Sequence, residues 1–233
     1  MGIHHVPFFE SELLCTATAA FRFERPDDYE FVAGQYGAFT LETADGIQVK
    51  DFTHASAPGD AFIELTTRLT GSAYKKALQA LRPGDVVTLS GPNGKLTVPD
   101  DVTKAAFLVG GVGITPARSI VRDAVQRSTG LTVLMFDGNA DQTCVPYGDE
   151  FDDYVRDHKE IRVVDVLEEP LRGWTGEVGF ITAEIVRRHC DPFDGWHWFI
   201  AGPPAMVDAM EKVVAELRLP PDRVSTELFT GYA

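Results

Sequence analysis

The stretch that most constrains the fold of this chain runs from Phe107 to Pro116 and has the sequence FLVGGVGITP. An apolar run over 105–109 has the length of a buried parallel strand, and residues 115–126 space their apolar side chains as a helix does. The glycines between them let the backbone turn tightly, while Thr115 and Pro116 supply a cap-like hydroxyl and a pre-set first turn. The amides of such a helix start attract an anion, most simply a pyrophosphate, although a turn of this kind is often only a tight loop.

Alternating buried strands and amphipathic helices continue to the end of the chain. The pattern predicts strands at 105–109, 131–136, 161–166, 197–201 and 224–228, with helices at 115–127, 147–157, 182–189 and 204–217. This alternation is typical of a doubly wound parallel sheet.

The first hundred residues have a different rhythm of short strand-like runs separated by turn residues. Runs rich in β-branched and aromatic residues lie at 11–24, 37–42, 62–69 and 86–90, and one helical segment lies at 72–81. Several short strands at this spacing favour an antiparallel β-barrel. The sequence therefore predicts a β plus α/β chain, with a barrel domain over 1–101 and a doubly wound α/β domain over 102–233.

The charge balance excludes some classes of partner. Lys and Arg number 21 against 35 Asp and Glu, a formal charge of -14, so nucleic acid and anionic membrane surfaces are not expected partners. A local excess of positive charge over 68–95 has two interpretations, a solvated helix face or a phosphate or partner site. The start of the chain lacks the pattern of a signal peptide and no run approaches a membrane span, which makes a cytoplasmic enzyme the expectation.

The cysteine and histidine patterns predict no metal centre. Cys15, Cys144 and Cys190 are far apart in the sequence and do not have the spacings of iron-sulfur ligands. The six histidines show no HExxH or similar pairing.

Six motifs, in order along almost the whole chain, carry a family resemblance. They are KDFTHASAP at 50–58, GSAYKKAL at 71–78, GPNGK at 91–95, GGVGITP at 110–116, AGPPAM at 201–206 and ELFTGY at 227–232. With these motifs the chain resembles the ferredoxin-NADP reductase superfamily, whose members are flavin enzymes that pass electrons between a nicotinamide and a second acceptor. The resemblance implies a flavin-binding barrel domain followed by an NAD(P)-binding domain.

The flavin motif of this family is RxYS followed by a turn of small residues, and the matching residues here are Lys50, Phe52 and Thr53. By resemblance, Lys50 faces the flavin pyrophosphate, Phe52 stacks on the isoalloxazine and Thr53 hydrogen-bonds near its N5. Lysine lacks the planar fork of arginine and phenylalanine lacks the tyrosine hydroxyl, so weaker flavin binding than is usual in the family is implied. Considered alone, Phe52 would be interpreted as a barrel-core aromatic.

Further flavin contacts are implied in the turn after this motif and at the start of the predicted helix. Helix amides and the Ser72 hydroxyl suit a diphosphate, which favours FAD over FMN, although Ser72 also suits an ordinary helix cap. No specific role is assigned to His54. The residues of these two groups are His54, Ala55, Ser56, Gly71, Ser72 and Ala73.

Two glycine-containing turns in the second half match the nicotinamide contacts of the family. Thr115 is expected near both nicotinamide and flavin. Ala201 stands where many relatives have cysteine, so any help that a thiol gives to hydride transfer is absent. The resemblance implies contacts from Gly111, Val112, Gly113, Ile114 and Thr115, and from Gly202, Pro203, Pro204 and Met206.

The end of the chain and one aspartate complete the predicted site. Glu227, Phe229 and Tyr232 resemble the C-terminal segment that covers the other face of the flavin in this family, although a frayed polar tail is the alternative. Asp137 follows the strand predicted at 131–136, beside which the adenosine ribose lies in this fold. A carboxylate there accepts a hydrogen bond from a ribose hydroxyl and repels a 2′-phosphate, so NADH is predicted to be preferred over NADPH.

Two other interpretations of the Asp137 segment stay open. The sequence Asp-Gly-Asn is ordinary turn chemistry, and an arginine distant in sequence, Arg118 or Arg172, could fold in to bind the phosphate.

These implications give one leading hypothesis and two alternatives. The leading hypothesis is a stand-alone FAD-dependent NAD(P)H oxidoreductase, with Thr53, Thr115 and Phe229 at the reacting centre and a ferredoxin, flavodoxin or oxygenase component as external acceptor. The first alternative is an NAD(P)H:flavin reductase that uses free flavin as a substrate. The second is a non-catalytic flavin- or nucleotide-binding subunit of a larger complex.

Overall fold

The first half of the chain forms an antiparallel sheet in the computed structural model, which describes residues 2–190 and 192–229. Its elements are β1 Gly2–Cys15, β2 Thr18–Glu24, β3 Tyr36–Thr43, β4 Gly46–Thr53, β5 Phe62–Arg68, α1 Ala73–Ala80 and β6 Val86–Asn93. The six strands lie in the order β4-β3-β6-β1-β2-β5. The end strands β4 and β5 come into contact, so the sheet curls as the predicted barrel requires.

Three parts of this sheet differ from the sequence prediction, and the first is that β1 begins at Gly2, nine residues before the run predicted at 11–24. The run predicted as one strand at 11–24 contains the end of β1, a turn at residues 16–17 and β2, and the two strands pair from Cys15 with Thr18 to Phe8 with Phe23. That turn contains neither glycine nor proline, so the sequence carries no turn signal there. The strand β4 is absent from the prediction because it lies at the sheet edge and exposes most of its side chains.

Aromatic side chains fill the interior of the antiparallel sheet. Phe23 and Phe39 are fully buried, and their ring centroids are 5.4 Å apart. Burying such a ring stabilises the fold by about 1.5–3 kcal/mol relative to leaving it exposed. The hydroxyl of Tyr74 in α1 donates to the carbonyl of Phe39 at 2.9 Å, which fixes the start of α1 against β3.

The second half of the chain forms a parallel sheet. Its elements are β7 Lys104–Gly110, α2 Ile114–Arg127, β8 Thr132–Asn139, α3 Gly148–Asp157, β9 Ile161–Leu167, β10 Glu177–Val178, α4 Ala183–His189, β11 His197–Gly202, α5 Pro204–Leu217 and β12 Val224–Leu228. The six strands lie in the order β10-β9-β8-β7-β11-β12, and each pair of neighbours is parallel. This confirms the predicted doubly wound sheet, to which the structure adds the short strand β10.

Helices cover both faces of the parallel sheet. Helices α2 and α3 pack on the face that carries Phe107 and Phe199, whose rings stack with centroids 5.1 Å apart. Helices α4 and α5 pack on the opposite face around Trp198. The strand order reverses between β7 and β11, and ligands of such sheets bind at the carboxyl ends of the strands beside that reversal.

The longest helices, α2 and α5, have 14 residues each. Among the described residues, no helix combines the length and the apolar character needed to cross a membrane.

Candidate cofactor site between the two sheets

Ile114 and Asp137 of the predicted site line a cavity of about 740 Å³. Other predicted residues line a smaller cavity of about 650 Å³. We call it the motif cavity. Strands β3, β4 and β5 and helix α1 line one side of it, and α2 and the end of β12 line the other. The predicted residues in its lining are Lys50, Phe52, Thr53, Ser72, Thr115 and Phe229. The motif cavity therefore lies between the two sheets.

The end of β4 forms the floor of the motif cavity. Phe52 is 6% exposed and stacks on Tyr74, with ring centroids 5.9 Å apart and an interplanar angle of 29°. The ammonium group of Lys75 lies 5.4 Å from the centre of the Phe52 ring and donates to the Thr67 hydroxyl. Burial, reinforced by the charge of Lys50, lowers the pKa of Lys75 to about 8. This end of the cavity is therefore aromatic and cationic.

The start of α1 borders the cationic end. Ser72 is the N-cap of α1, and its hydroxyl accepts a hydrogen bond from the amide of Lys75 at 3.3 Å. Its helix-cap interpretation is thus confirmed, and the same residue lines the motif cavity. Gly71 faces open space, with no atom within 4 Å of the position its Cβ would take.

The three residues after Thr53 turn away from the motif cavity into the protein. His54 is fully buried with its Nε2 atom 2.8 Å from the Tyr29 hydroxyl, and burial, with a smaller contribution from Arg25, lowers its pKa to about 3. The imidazole is therefore neutral at ordinary pH. The carbonyls of Ala55 and Ser56 accept hydrogen bonds from side chains of α2, so this turn attaches the antiparallel sheet to α2.

The glycine turn joins β7 to α2 through one turn of 3-10 helix, Gly111–Gly113. Gly111 has a φ of 52°, in the left-handed region that favours glycine. A Cβ on Gly113 would lie 2.3 Å from the carbonyl oxygen of Ala201, so only glycine lets β7 and β11 end this close together.

Thr115 does not cap α2, contrary to the sequence prediction. The N-cap position is Gly113, which has no side chain, and the buried Thr115 hydroxyl donates instead to the carbonyl of Val112 at 3.0 Å. The bond to Val112 holds the Thr115 side chain at the wall of the motif cavity.

The second predicted turn, between β11 and α5, lies directly against the glycine turn. Pro203 is the N-cap of α5 and Pro204 its first residue. The sulfur of Met206 lies 3.0 Å from the position of a Cβ on Gly202, and the carbonyl of Gly202 accepts a hydrogen bond from the amide of Phe229 at 2.9 Å. The turn therefore holds the end of β12 beside the motif cavity.

A carboxyl group from β12 faces the residues of β4 across the motif cavity. The Thr53 hydroxyl lies 3.5 Å from Oε1 of Glu227, while the other oxygen, Oε2, is buried and has no hydrogen-bond partner among the described residues. Burial raises the pKa of Glu227 to about 7, and the charge of Asp51 acts in the same direction. Glu227 therefore holds or releases a proton close to neutral pH. Tyr232 lies outside the described residues.

Asp137 lines the larger cavity of about 740 Å³, which we call the acidic cavity because Asp137, Asp149, Asp152 and Asp165 all line it. The side chain of Asp137 is 1% exposed; its Oδ2 accepts from the amide of Asn139 at 2.8 Å, and Oδ1 has no partner among the described residues. Burial raises the pKa of Asp137 to about 8. Asn139, which the sequence analysis did not single out, accepts from the amide of Gly111 at 3.2 Å and so supports the glycine turn.

A buried ion network joins the two sheets between the cavities. The Arg118 guanidinium donates to Glu64 at 2.6 Å and to Glu150 at 2.7 Å. Glu64 is fully buried and also accepts from Arg22 at 2.6 Å and from the Tyr147 hydroxyl at 2.7 Å. Arg118, one of the two arginines that could fold in toward a 2′-phosphate, is thus bound to carboxylates.

Sequence reasoning missed several residues that line the motif cavity. They are polar or aromatic side chains at strand ends and in α1 whose function is set only by what faces them: Tyr36, Thr66, Thr70 and Tyr74. Tyr74 lies within the GSAYKKAL motif at 71–78, and its position two residues after the N-cap of α1 is the one sequence signal that could have identified it. Within the described part of the chain, no group of three or more His, Cys, Asp or Glu residues could hold a metal ion.

The chain is similar in sequence to known oxidoreductases. Residues 107–212 match the family model described as the oxidoreductase NAD-binding domain. The chain is 28% identical over 210 residues to the phenol hydroxylase P5 protein of Acinetobacter pittii, covering 88% of this chain and 59% of that protein. It is 27% identical over 210 residues to NADH-cytochrome b5 reductase 1 of Mycosarcoma maydis, covering 86% and 65% respectively. The chain thus spans less than two thirds of the length of these relatives.

Solved structures share the fold over nearly the whole chain. The Amycolatopsis cytochrome P450 reductase GcoB superposes with a TM-score of 0.86 at 24% identity, covering 99% of this chain and 71% of that one. A ferredoxin NADP+ reductase from Neisseria gonorrhoeae, with bound FAD and NADP, superposes with a TM-score of 0.83 at 18% identity, covering 97% and 98%. Residues 107–212 therefore resemble an oxidoreductase NAD-binding domain, and the whole chain has the same two-domain fold as these reductase structures.

Proposed function

We propose that this chain is an FAD-dependent NAD(P)H oxidoreductase, with a flavin-binding domain over 1–101 and an NAD(P)-binding domain over 102–233. The observation that carries the proposal is the motif cavity, to which the two sheets contribute Phe52 and Thr53 on one side and Thr115 and Phe229 on the other. The similarity of the chain to an NADH-cytochrome b5 reductase and to the phenol hydroxylase P5 protein points to the same class of chemistry.

The residues of the motif cavity fit a flavin dinucleotide. The floor is aromatic, one end carries Lys50, Lys75 and the N-terminus of α1, and the buried Oε2 of Glu227 lacks a partner among the described residues. Under the proposal Lys50 and Ser72 hold the phosphates, Phe52 packs on the ring system and Thr53 hydrogen-bonds beside it. The bound flavin supplies the capacity to accept a hydride and to release electrons one at a time.

The protein itself contributes position, a proton and exclusion of water. Thr115, held by its bond to Val112, and the close Gly113 to Ala201 contact set where a nicotinamide ring can lie. Glu227, with its pKa raised to about 7 by burial, can hold or move a proton at its carboxyl oxygens near neutral pH. Phe229 closes the wall on the side of β12.

The nucleotide preference and the acceptor also belong to the proposal. Arg118 is bound to Glu64 and Glu150, which supports NADH over NADPH because this arginine does not serve a 2′-phosphate. Electrons then pass to a separate acceptor such as a ferredoxin, a flavodoxin, an oxygenase component or a cytochrome b5.

A second candidate function is reduction of free flavin as a substrate. Lys50 and Asp51 are exposed at the rim of the motif cavity, an arrangement that favours exchange of flavin with solvent.

The visible spectrum of the purified full chain, before and after anaerobic NADH, tests both candidates. We expect a yellow protein that releases FAD on denaturation and is bleached by NADH. A colourless protein that nevertheless oxidises NADH when free flavin is added would favour flavin reduction. A protein that neither binds FAD nor oxidises NADH or NADPH with any flavin would contradict both.

A further inference from the structure

Two cysteines from opposite halves of the chain meet at the wall of the acidic cavity. Cys15 is the last residue of β1, and Cys144 lies in the loop between β8 and α3. Their sulfurs are bonded across a sequence separation of 129 residues, with Cα atoms 5.0 Å apart, within the range of about 4.4–6.8 Å that a disulfide requires. The bond ties the antiparallel sheet to the parallel sheet.

Both cysteines are accessible to small molecules. They are partly exposed, and Cys15 lines the acidic cavity of about 740 Å³. The third cysteine, Cys190, is 4% exposed and packs among the side chains of α4 and α5. Because thiol–disulfide exchange requires access for the attacking thiolate, a small thiol reaches the pair more readily than it reaches Cys190.

The loop that carries Cys144 is bonded to both halves of the chain at its ends. On one side Asn139 accepts from the amide of Gly111, and on the other the Tyr147 hydroxyl donates to Glu64. Within the segment between them, Asp141 accepts from the amide of Thr143. Ala140 and Gln142 accept from the amides of Glu169 and Leu171, which also belong to the second half of the chain. The link to Cys15 is therefore a covalent attachment of the middle of this loop to the hairpin of β1 and β2.

We propose that Cys15 and Cys144 are a reversible redox modification site, in which oxidation locks the loop 140–147 onto the end of the β1–β2 hairpin and reduction releases it. The oxidant is a low-molecular-weight disulfide such as glutathione disulfide. The thiolate of one cysteine attacks it and displaces one small thiol; the second cysteine then displaces the other. Two protein thiols become one disulfide, and the small disulfide becomes two thiols.

Thiol counting on the unfolded full chain tests the pairing. After incubation with glutathione disulfide we expect one maleimide-reactive thiol, Cys190, and after dithiothreitol we expect three. Peptide mass spectrometry of the oxidised protein should recover the segments around residues 15 and 144 as one cross-linked species. Three reactive thiols after oxidation, or a stable glutathione adduct on Cys15 in the presence of Cys144, would overturn the proposal.

Two measurements made without nucleotide test whether the disulfide restrains the loop 140–147. Reduction should increase amide hydrogen exchange at 140–147 and lower the Tm by on the order of 10 °C, because the cross-link closes a long loop in the unfolded chain. Cys190→Ser should respond to reductant as the wild type does, whereas Cys15→Ala and Cys144→Ala should not respond. Should either variant fail to fold, the wild type with and without dithiothreitol still decides, and equal exchange and Tm in both states would refute the lock. Failure of this proposal leaves the flavin chemistry unaffected, since neither readout involves it.

Discussion

The motif cavity and the acidic cavity lie between the same two sheets and are similar in size, about 650 and 740 Å³. The sequence nevertheless predicted more of the lining residues of the motif cavity than of the acidic cavity. The motif cavity is lined by residues from short patterns with a known chemical use, such as Phe52 and Thr115. The acidic cavity is lined by residues such as Cys15 and Asp165, which belong to none of the recognised motifs.

Each cavity contains a buried carboxyl group whose pKa is raised. Burial raises the pKa of Glu227 to about 7 in the motif cavity and that of Asp137 to about 8 in the acidic cavity. Glu227 faces Thr53 and the proposed cofactor, whereas Asp137 faces Asp165, whose charge raises its pKa further. A raised pKa alone therefore does not identify a ligand site, and the groups around each carboxyl must be considered as well.

The largest expected effect concerns the ion network between the cavities. Arg118→Met leaves the fully buried Glu64 with one partner fewer, so the free energy of unfolding should fall by about 3 kcal/mol. Urea denaturation measures this. Arg127→Met removes an exposed pair with Asp123 and should change the same quantity by less than about 1 kcal/mol. Equal effects of the two substitutions would show that the network does not hold the two sheets together.

A pH-dependent gain in stability is expected from Asp137→Asn. The pKa of Asp137 in the folded protein is raised from 3.8 to about 8, so its contribution to stability is fully present below pH 3.8 and is lost as the pH rises toward 8. The variant avoids this loss, and its Tm should exceed that of the wild type by on the order of 5 °C at pH 8, with the difference shrinking toward pH 4. A constant difference across this range would contradict the raised pKa.

A smaller effect is expected for the nucleotide preference, which tests whether Asp137 in the acidic cavity recognises the ribose. We expect kcat/KM to be about tenfold higher for NADH than for NADPH, which corresponds to about 1.4 kcal/mol. Since the side chain of Asp137 is 1% exposed and lines the acidic cavity, Asp137→Asn should keep this ratio within about twofold. A ratio that falls toward one in the variant would assign ribose recognition to Asp137.

The smallest expected effect is in flavin binding at the motif cavity. Phe52→Leu keeps much of the buried volume but removes the aromatic face, so the Kd for FAD should rise about two- to tenfold, from a stacking contribution of about 0.5–1.5 kcal/mol. Phe9→Leu, at a partly exposed ring distant from the motif cavity in the sheet, serves as the control. Fluorescence titration of the flavin measures both. An unchanged Kd in Phe52→Leu would assign Phe52 to the core of the antiparallel sheet alone.

The sequence predicted the parallel sheet and its helices well because each element carries its own local signal. Buried strands such as β7 are continuous apolar runs, and the bounds predicted for α5 agree with those observed, 204–217. The same local signals failed at β4 and at the turn of residues 16–17, where an edge strand is polar and a turn lacks glycine and proline. Thr115 was assigned to the correct turn, but its hydroxyl bonds to Val112 because the helix begins one residue earlier than its pattern indicates.

The order of elements, the glycine turn and part of the lining of the motif cavity can be predicted from the sequence alone, since these depend on backbone conformation and on side-chain types at short spacing. Tertiary packing, by contrast, places Asp137 in the wall of the acidic cavity, binds Arg118 to Glu64 and brings Cys15 to Cys144. These contacts join residues from 54 to 129 positions apart or depend on which face of a sheet is covered. No local pattern encodes such distances; the packing of the two sheets sets them.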